Sequence, residues 1–156
     1  MQTTQKLVVR GIPTEHVQAL RAGGPDAHGH APQAITQNAG PCRHCLQPIA
    51  EGRAKLLLAY RPFGHAQPYA ETGPIFLHKG DCERYEADAL PAWFVRLAPA
   101  LVRGYDANDW IVYETGRVLP GAELADACRD ILARPDVAYV HIRSRFNCFQ
   151  CRVERG

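Results

Sequence analysis

The apolar residues between Gly121 and Arg134 recur with the period of an α-helix. Spacings of three and four residues place them on one stripe of such a helix, and a folded protein buries a stripe of this kind. The stripe consists of Leu124, Ala127, Cys128, Ile131 and Leu132. Pro135 follows directly and ends the helix. The pattern therefore predicts the main helix over Gly121 to Arg134, with Cys128 buried as a small hydrophobe.

The next segment, Val137 to Arg143, alternates strictly between apolar and less apolar residues, as a half-buried β-strand does. One side carries Ala138, Val140 and Ile142, and the other side carries Tyr139, His141 and Arg143. We expect the second side to be a solvent-exposed face of a sheet, with Arg103 and Tyr105 on a neighbouring strand. The alternative is that its histidine and arginine bind an anion or serve in acid–base catalysis.

Shorter patterns predict the remaining elements. Strands are predicted at Leu7 to Ile12, Lys55 to Tyr60, Pro74 to His78, Ala100 to Asp106, Trp110 to Val118 and Cys148 to Glu154, and short helices at His16 to Ala22 and Asp81 to Leu90. Residues 23–40 are rich in Gly, Pro, Ala and His and predict a long loop that is extended near residues 34–37. Together these elements predict a single α+β domain over residues 1–156, with a mostly antiparallel sheet and one main helix.

The composition, 46% hydrophobic and 22% charged, is that of a soluble globular protein. No apolar run approaches the length of a membrane span, and the N-terminal residues lack the apolar core of a secretory signal. We therefore expect a cytoplasmic protein with no membrane partner. The net charge is only +2 and no Lys/Arg cluster occurs, so no nucleic-acid partner is indicated. In a reducing compartment the six cysteines are expected to serve metal binding, catalysis or plain burial rather than disulfides.

Two pairs of residues carry the strongest chemical signal. Cys42 and Cys45 form a Cys-x-x-Cys pair in a turn-forming sequence, and His78 and Cys82 follow an apolar run. Together they supply the four nitrogen and sulfur ligands of a tetrahedral zinc ion. His78 and Cys82 share one face if the residues from Asp81 onward are helical. The order of pair, β-hairpin and pair resembles a treble-clef zinc finger, although Leu46 stands where a glycine usually follows the second cysteine.

Two alternatives use the first cysteine pair differently. Cys148 and Cys151 form another Cys-x-x-Cys pair, and with Cys42 and Cys45 they would make a zinc site of four cysteines. Without a metal, Cys42 and Cys45 are free or buried thiols, or they act as a redox pair. His44, inside the first turn, is expected to be a neighbour of the metal site rather than a ligand.

Several segments match a known family in the same order along the chain. They are Lys55 to Tyr60, Pro68-Tyr69, Gly73 to His78, Ala138 to His141 and Cys148 to Arg155. On these residues the chain, from about Pro41 to Arg155, resembles DUF1203, a bacterial family of proteins of unknown function. The resemblance implies a small bacterial cytoplasmic protein with one domain, and it implies no activity and no catalytic residue. Tyr69 and His141 lie in matching segments and are candidates for a shared pocket.

These observations favour a binding or interaction module with a structural Zn²⁺ ion and an unknown protein or small-molecule partner. A closed site of four protein ligands stabilises a fold and leaves no open position for catalysis. One alternative is a small enzyme with a pocket around Tyr69, His141 and Arg143. Another is a redox-active thiol protein that uses Cys42 and Cys45. A deep cleft around His141 and Arg143 would favour the enzyme, and a flat solvated face would favour the module.

Overall fold

The sheets and helices of the chain are distributed over two compact units in a computed structural model that describes residues 5–156. The central unit spans Gly11–Tyr85, and the terminal unit combines residues 5–10 with Glu86–Gly156. A single folding domain over residues 1–156 stays a prediction. In chain order the strands are β1 (Leu7–Arg10), β2 (Gln33–Ile35), β3 (Gly40–Pro41), β4 (Pro48–Ile49), β5 (Lys55–Tyr60), β6 (Gly73–His78), β7 (Glu86–Ala87), β8 (Ala100–Tyr105), β9 (Ile111–Leu119), β10 (Tyr139–Ser144) and β11 (Phe149–Arg155), and the α-helices are α1 (Thr14–Arg21) and α2 (Leu124–Leu132).

The terminal unit is built on a six-stranded sheet in the order β7-β1-β11-β10-β8-β9, and every neighbouring pair is antiparallel. The stripe of α2 is buried as its period predicts. The helix packs so closely on β8 that a Cβ atom at Gly104 would lie 2.9 Å from a methyl group of Ile131. The predicted main helix is confirmed with shorter bounds, because Gly121–Glu123 form a 3-10 turn before α2 begins and α2 ends at Leu132 rather than at Arg134.

The central unit contains an antiparallel sheet in the order β2-β5-β6, the small β3–β4 hairpin and the amphipathic helix α1. Its core is formed by apolar side chains of α1, of these strands and of the connecting segments. The buried members are Ile12, Val17, Leu20, Cys42, Ile49, Leu56, Leu58, Ile75 and Leu77. The fold is therefore α+β with mostly antiparallel sheets, one main helix and one short helix, as the patterns predict.

The predicted helix over Asp81 to Leu90 is wrong, because this segment has no helical turn and contains only the short strand β7. The backbone groups that a helix would use are engaged elsewhere. Tyr85 N–H donates to the carbonyl of His44, and the carbonyl of Tyr85 accepts from Gly11 N–H, both at 2.9 Å. Partners distant in sequence thus replace the local hydrogen bonds of a helix. Neither α-helix within residues 5–156 has the length and apolar character that crossing a membrane requires.

Lys55, at the start of β5, is fully buried although it carries a charge. Its ammonium group donates to the carbonyl oxygens of Thr36, Gln37, Ala50 and Arg53 at distances between 2.9 and 3.3 Å. Two of these carbonyls precede the β3–β4 hairpin and two follow it. Lys55 therefore holds together the base of the hairpin that carries Cys42 and Cys45.

Replacing Lys55 by methionine is expected to lower the free energy of unfolding by at least about 3 kcal/mol, because four carbonyl oxygens lose the charged donor that joins them. Urea unfolding followed by circular dichroism measures the change. The matched control is Lys79→Met, since Lys79 is exposed and its loss is expected to change stability by less than about 0.5 kcal/mol. Equal effects of the two substitutions would contradict the role of Lys55.

Candidate metal centre

The first cysteine pair lies in the turn that joins β3 to β4. Cys42 N–H donates to the carbonyl of Gln47 at 2.9 Å, and Leu46 N–H donates to the carbonyl of Cys42 at 2.8 Å. Leu46 has a φ of 59°, the left-handed conformation that costs a residue other than glycine about 1–2 kcal/mol. Its side chain is buried, and burying a leucine contributes about 1.5–3 kcal/mol. The buried side chain thus offsets the backbone strain where a glycine is usual.

The second pair is presented by the end of β6 and the irregular segment behind it. His78 is the last residue of β6, and Cys82 lies in a segment without regular structure rather than on a helix. The turn of the first pair docks directly on β6. Arg43 N–H donates to the carbonyl of Phe76 at 3.1 Å, and His78 N–H donates to Sγ of Cys42 at 3.3 Å. Backbone hydrogen bonds therefore bring the two pairs together.

The ligand atoms of Cys42, Cys45, His78 and Cys82 all lie within 4.8 Å of one another. Sγ of Cys42 and Sγ of Cys82 are 3.9 Å apart, and Sγ of Cys45 is 3.4 Å from Nδ1 of His78. A tetrahedral zinc ion with bonds of about 2.3 Å to sulfur and 2.0–2.1 Å to nitrogen requires about 3.8 Å between two sulfurs and about 3.6 Å between sulfur and nitrogen. The four residues thus fit one tetrahedral ion, and this is the ligand set that the spacing predicts.

Cys82 also receives hydrogen bonds from two residues around the four ligands. Nδ1 of His44 is 3.0 Å from its Sγ, and Nη2 of Arg21 donates to the same sulfur at 3.2 Å. Nε2 of His44 lies 2.9 Å from Oγ1 of Thr14. Burial lowers the pKa of His44, which keeps the ring neutral. The threonine hydroxyl can then donate to Nε2 while Nδ1–H donates to the sulfur.

His44 is therefore a neighbour of the cluster, as predicted, whereas Arg21 and Thr14 are missed by reasoning from the sequence. Both belong to α1, which carries no sequence signal that relates it to the cysteines. Arg21 also donates through Nε to the carbonyl of His78 at 3.0 Å. One arginine thus contacts both members of the second pair.

Without a metal the three thiols of the cluster do not ionise alike. The pKa of Cys42 is lowered, first because its sulfur accepts a hydrogen bond from Cys45 and then because backbone N–H groups point at it. The pKa of Cys45 is raised because its thiol donates that bond. The pKa of Cys82 is raised mainly by burial, and the negative charge of Cys42 raises it further. A metal ion that binds all three sulfurs must therefore displace protons from two of them.

The alternative cysteine pair belongs to the terminal unit. Cys151 is buried on β11, and Cys148 is half-buried just before that strand. The cluster of the central unit is complete with three thiols and one imidazole, none of them from this pair. Cys128 is buried in the stripe of α2, as its position predicts, and burial raises the pKa of its thiol to about 12.

Tyr139, His141 and Arg143 share one face of β10, but the expectation that this face is solvent-exposed is wrong. The three residues are only 6%, 0% and 4% exposed. Aromatic packing explains the burial, because the ring of His141 lies between those of Tyr105, Tyr139 and Phe149 at centroid distances of 4.8 to 5.0 Å. Arg103 and Tyr105 lie directly across from His141 and Tyr139 on β8, as expected.

Tyr69, the third residue of the hypothetical enzyme pocket, belongs to the central unit. It lies in a turn in which its N–H donates to the side chain of Gln67 at 2.8 Å and its carbonyl accepts from Glu71 N–H at 2.9 Å. His141 and Arg143 belong to the terminal unit. A shared pocket for the three residues stays a prediction.

The family model of DUF1203, described as a protein of unknown function, matches residues 39–155. The chain belongs to the DUF1203 family. No curated protein and no solved structure matches the chain. The region matched to DUF1203 includes all four residues of the cluster and the buried face of β10, whereas Thr14 and Arg21 precede it. The family description assigns no activity, so function has to be argued from the side chains.

The burial of His141 predicts a specific dependence of stability on pH. Its pKa is well below the ordinary value of 6.5, mainly because the ring is buried and also because it is close to the positive charges of Arg152, Arg143 and Arg103. Well above pH 6.5 the ring is neutral in both the folded and the unfolded chain. Below that pH the unfolded chain binds a proton that the folded chain does not, so stability falls as the pH decreases.

We expect this loss of folding stability to reach about 1.4 kcal/mol per pH unit once the pH is well below 6.5, the ordinary pKa of histidine. Urea unfolding at pH 7.5 and at pH 5.5, with the same metal content, compares the wild type with His141→Gln. The wild type should lose more stability than the variant over this interval. His141→Phe provides a second comparison that keeps an aromatic ring. Parallel losses in wild type and both variants would contradict the neutral, buried histidine.

Proposed function

We propose that the protein is a binding or interaction module whose central unit holds one structural zinc ion through Cys42, Cys45, His78 and Cys82. The observation that supports this most strongly is the convergence of the four ligand atoms within 4.8 Å of one another. The donor set of three sulfurs and one imidazole nitrogen is one that structural zinc sites use. With four protein ligands the ion has no open position for a substrate, so its role is to stabilise the fold.

The segments that the ion would join explain why stabilisation is needed. The ligands come from a turn, a strand end and an irregular segment, so little regular structure connects them. A structural zinc ion typically contributes about 10–16 kcal/mol of apparent binding free energy, which counts toward folding when the unfolded chain lacks the site. The ion would thus hold Cys82 and its segment against β6 in place of a helix.

The charge around the cluster agrees with a zinc ion. Three thiolates and a neutral histidine give Zn²⁺ a complex with one net negative charge. Arg21, whose side chain is only 12% exposed, donates to Sγ of Cys82 and supplies one positive charge. Hydrogen bonds from such outer residues orient the ligands and make thiolates less basic. Arg21 and His44 are therefore proposed to adjust the affinity for the metal.

The redox alternative requires a thiol that is both acidic and accessible. Cys42 has a lowered pKa but is fully buried. Cys45 is partly exposed, but its pKa is raised. Neither thiol combines the two properties, and the geometry favours zinc over a redox pair.

Metal analysis of protein purified without added metal is expected to find one zinc ion per chain. Cys42→Ser and His78→Ala should abolish this stoichiometry, because each removes a ligand. Cys148→Ser is the matched control and should keep one zinc ion per chain. Reconstitution of the wild type with Co²⁺ should produce a thiolate-to-cobalt charge-transfer band that both ligand variants lose. Substoichiometric zinc in the wild type, or loss of zinc only in Cys148→Ser, would overturn the proposal.

Arg21 and His44, which donate hydrogen bonds to Cys82, are expected to affect the affinity for zinc rather than the number of ions bound. Arg21→Met and His44→Phe should each weaken zinc binding by about 10–100-fold without changing the stoichiometry at saturating zinc. Competition with a chromogenic chelator measures the affinity. The matched control for Arg21 is Arg53→Met, since Arg53 is exposed and lies outside the hydrogen bonds of the cluster. An affinity unchanged in both outer variants would show that their hydrogen bonds do not act on the metal.

A further inference from the structure

A cleft of about 260 Å³ lies beside the end of β5 in the central unit. It is lined by α1, by residues 25–27 of the loop that follows this helix, and by the last residues of β5 with Arg61 and Phe63 behind them. The space equals the liquid volume of roughly nine water molecules, which suits a small organic molecule. Among the described residues, none of the four candidate metal ligands lines the cleft, so it is a separate feature of the same unit.

Several of the side chains that line the cleft are apolar. Leu20 of α1, Leu58 of β5 and Phe63 are buried. The rings of His16 and Tyr60 also line the cleft, with their centroids 6.0 Å apart and their planes at 46° to each other. Aromatic rings gain from offset and edge-to-face contacts with a further ring. The cleft therefore suits a small apolar body, and an aromatic ring in particular.

Asp26 is the acidic residue of the cleft, and backbone donors engage both of its carboxylate oxygens. Oδ1 accepts from the N–H groups of His28 and His30 at 2.9 and 3.1 Å, and Oδ2 accepts from Ala59 N–H at 3.0 Å. These hydrogen bonds, that from Ala59 above all, lower the pKa of Asp26. The carboxylate thus attaches the loop to β5 and keeps its negative charge, which disfavours a ligand that carries two negative charges.

Arg61 supplies a positive charge to the same cleft. Its Nε donates to the carbonyl of Phe63 at 3.3 Å, and within residues 5–156 it forms no further hydrogen bond and no ion pair. A guanidinium has five N–H donors, so the four donors on its two terminal nitrogens are available to a ligand. The side chain is half-buried, which reduces the screening of its charge by solvent.

We propose that this cleft binds a small organic molecule with one carboxylate group and an aromatic body. The carboxylate pairs with the terminal nitrogens of Arg61, whose two parallel N–H donors match its two oxygens. The aromatic body lies against Leu20, Leu58 and Phe63. The inference rests on the proposed function in one respect, since it gives the binding module a ligand class, and the zinc ion takes no part in the contact.

The test uses the full chain with its zinc content verified and three probes of nearly equal size. Phenylacetate, its neutral amide phenylacetamide and the cation 2-phenylethylamine are titrated by calorimetry at constant ionic strength. We expect saturable binding of phenylacetate, and binding of the amide weaker by at least about tenfold, because the amide forms no charge-assisted pair with Arg61. Tighter binding of the cation would assign the cleft to ligands of Asp26 and overturn the proposal, as would unsaturable binding of phenylacetate.

Arg61→Gln should weaken the binding of phenylacetate at least about tenfold and leave that of phenylacetamide unchanged. The matched control is Arg53→Gln, which removes an exposed arginine of the same unit that does not line the cleft and should leave both affinities unchanged. An equal loss for the two probes in Arg61→Gln would show that the arginine supports the fold rather than the carboxylate, and it would contradict the proposal.

A second measurement needs no variant. In the wild type, nuclear Overhauser effects should connect the ring protons of phenylacetate with the methyl groups of Leu20 and Leu58, and not with those of Leu132, which is buried in the terminal unit. The reverse pattern would place the probe elsewhere and overturn the proposal. Zinc is measured on the same samples, so a chain that holds one zinc ion but no phenylacetate, and a chain that binds phenylacetate without zinc, are separate results.

Discussion

The docking of the Cys42 turn on β6 is the interaction on which the central unit depends. Cys42 forms a backbone bridge to Phe76, and its sulfur accepts a hydrogen bond from His78 N–H at 3.3 Å. A buried thiolate is costly unless donors or a cation compensate its charge. These contacts supply the donors, and they place Cys42 beside His78 and Cys82. The same hydrogen bonds that complete the fold therefore assemble the candidate metal ligands.

Each unit places a cation against a partner that suits its charge distribution. The ammonium group of Lys55 is surrounded by carbonyl oxygens, which match a compact, strongly solvated cation. The guanidinium of Arg152 instead lies over the ring of Tyr139, which suits a flat and delocalised cation. The first arrangement uses up the donors of the cation. The second covers one flat side of the guanidinium, while Nε at its edge donates to Nε2 of His141 at 3.3 Å.

Much of the fold could be predicted from short-range patterns, whereas the cysteine spacings left the second pair of candidate ligands open between His78/Cys82 and Cys148/Cys151. The stripe of α2 and the alternation of β10 depend only on neighbouring residues, and the four candidate metal ligands occur in two closely spaced pairs along the chain. The predicted helix over Asp81 to Leu90 failed because Tyr85 pairs with Gly11 and His44, which are far away in sequence. Alternation also identifies two faces of a strand without telling what covers each one. The burial of His141, like the contact of Arg21 with Cys82, depends on tertiary packing that no local pattern contains.

The chemistry of His141 bears on the choice between an enzyme and a binding module. A general base is effective when its pKa lies near the working pH, whereas burial and three arginines hold the pKa of His141 well below 6.5. The ring is then a weak base, and its accepting nitrogen already takes a hydrogen bond from Arg152. Burial and the neighbouring arginines therefore make His141 a poor general base, although its residue type alone suggested acid–base catalysis.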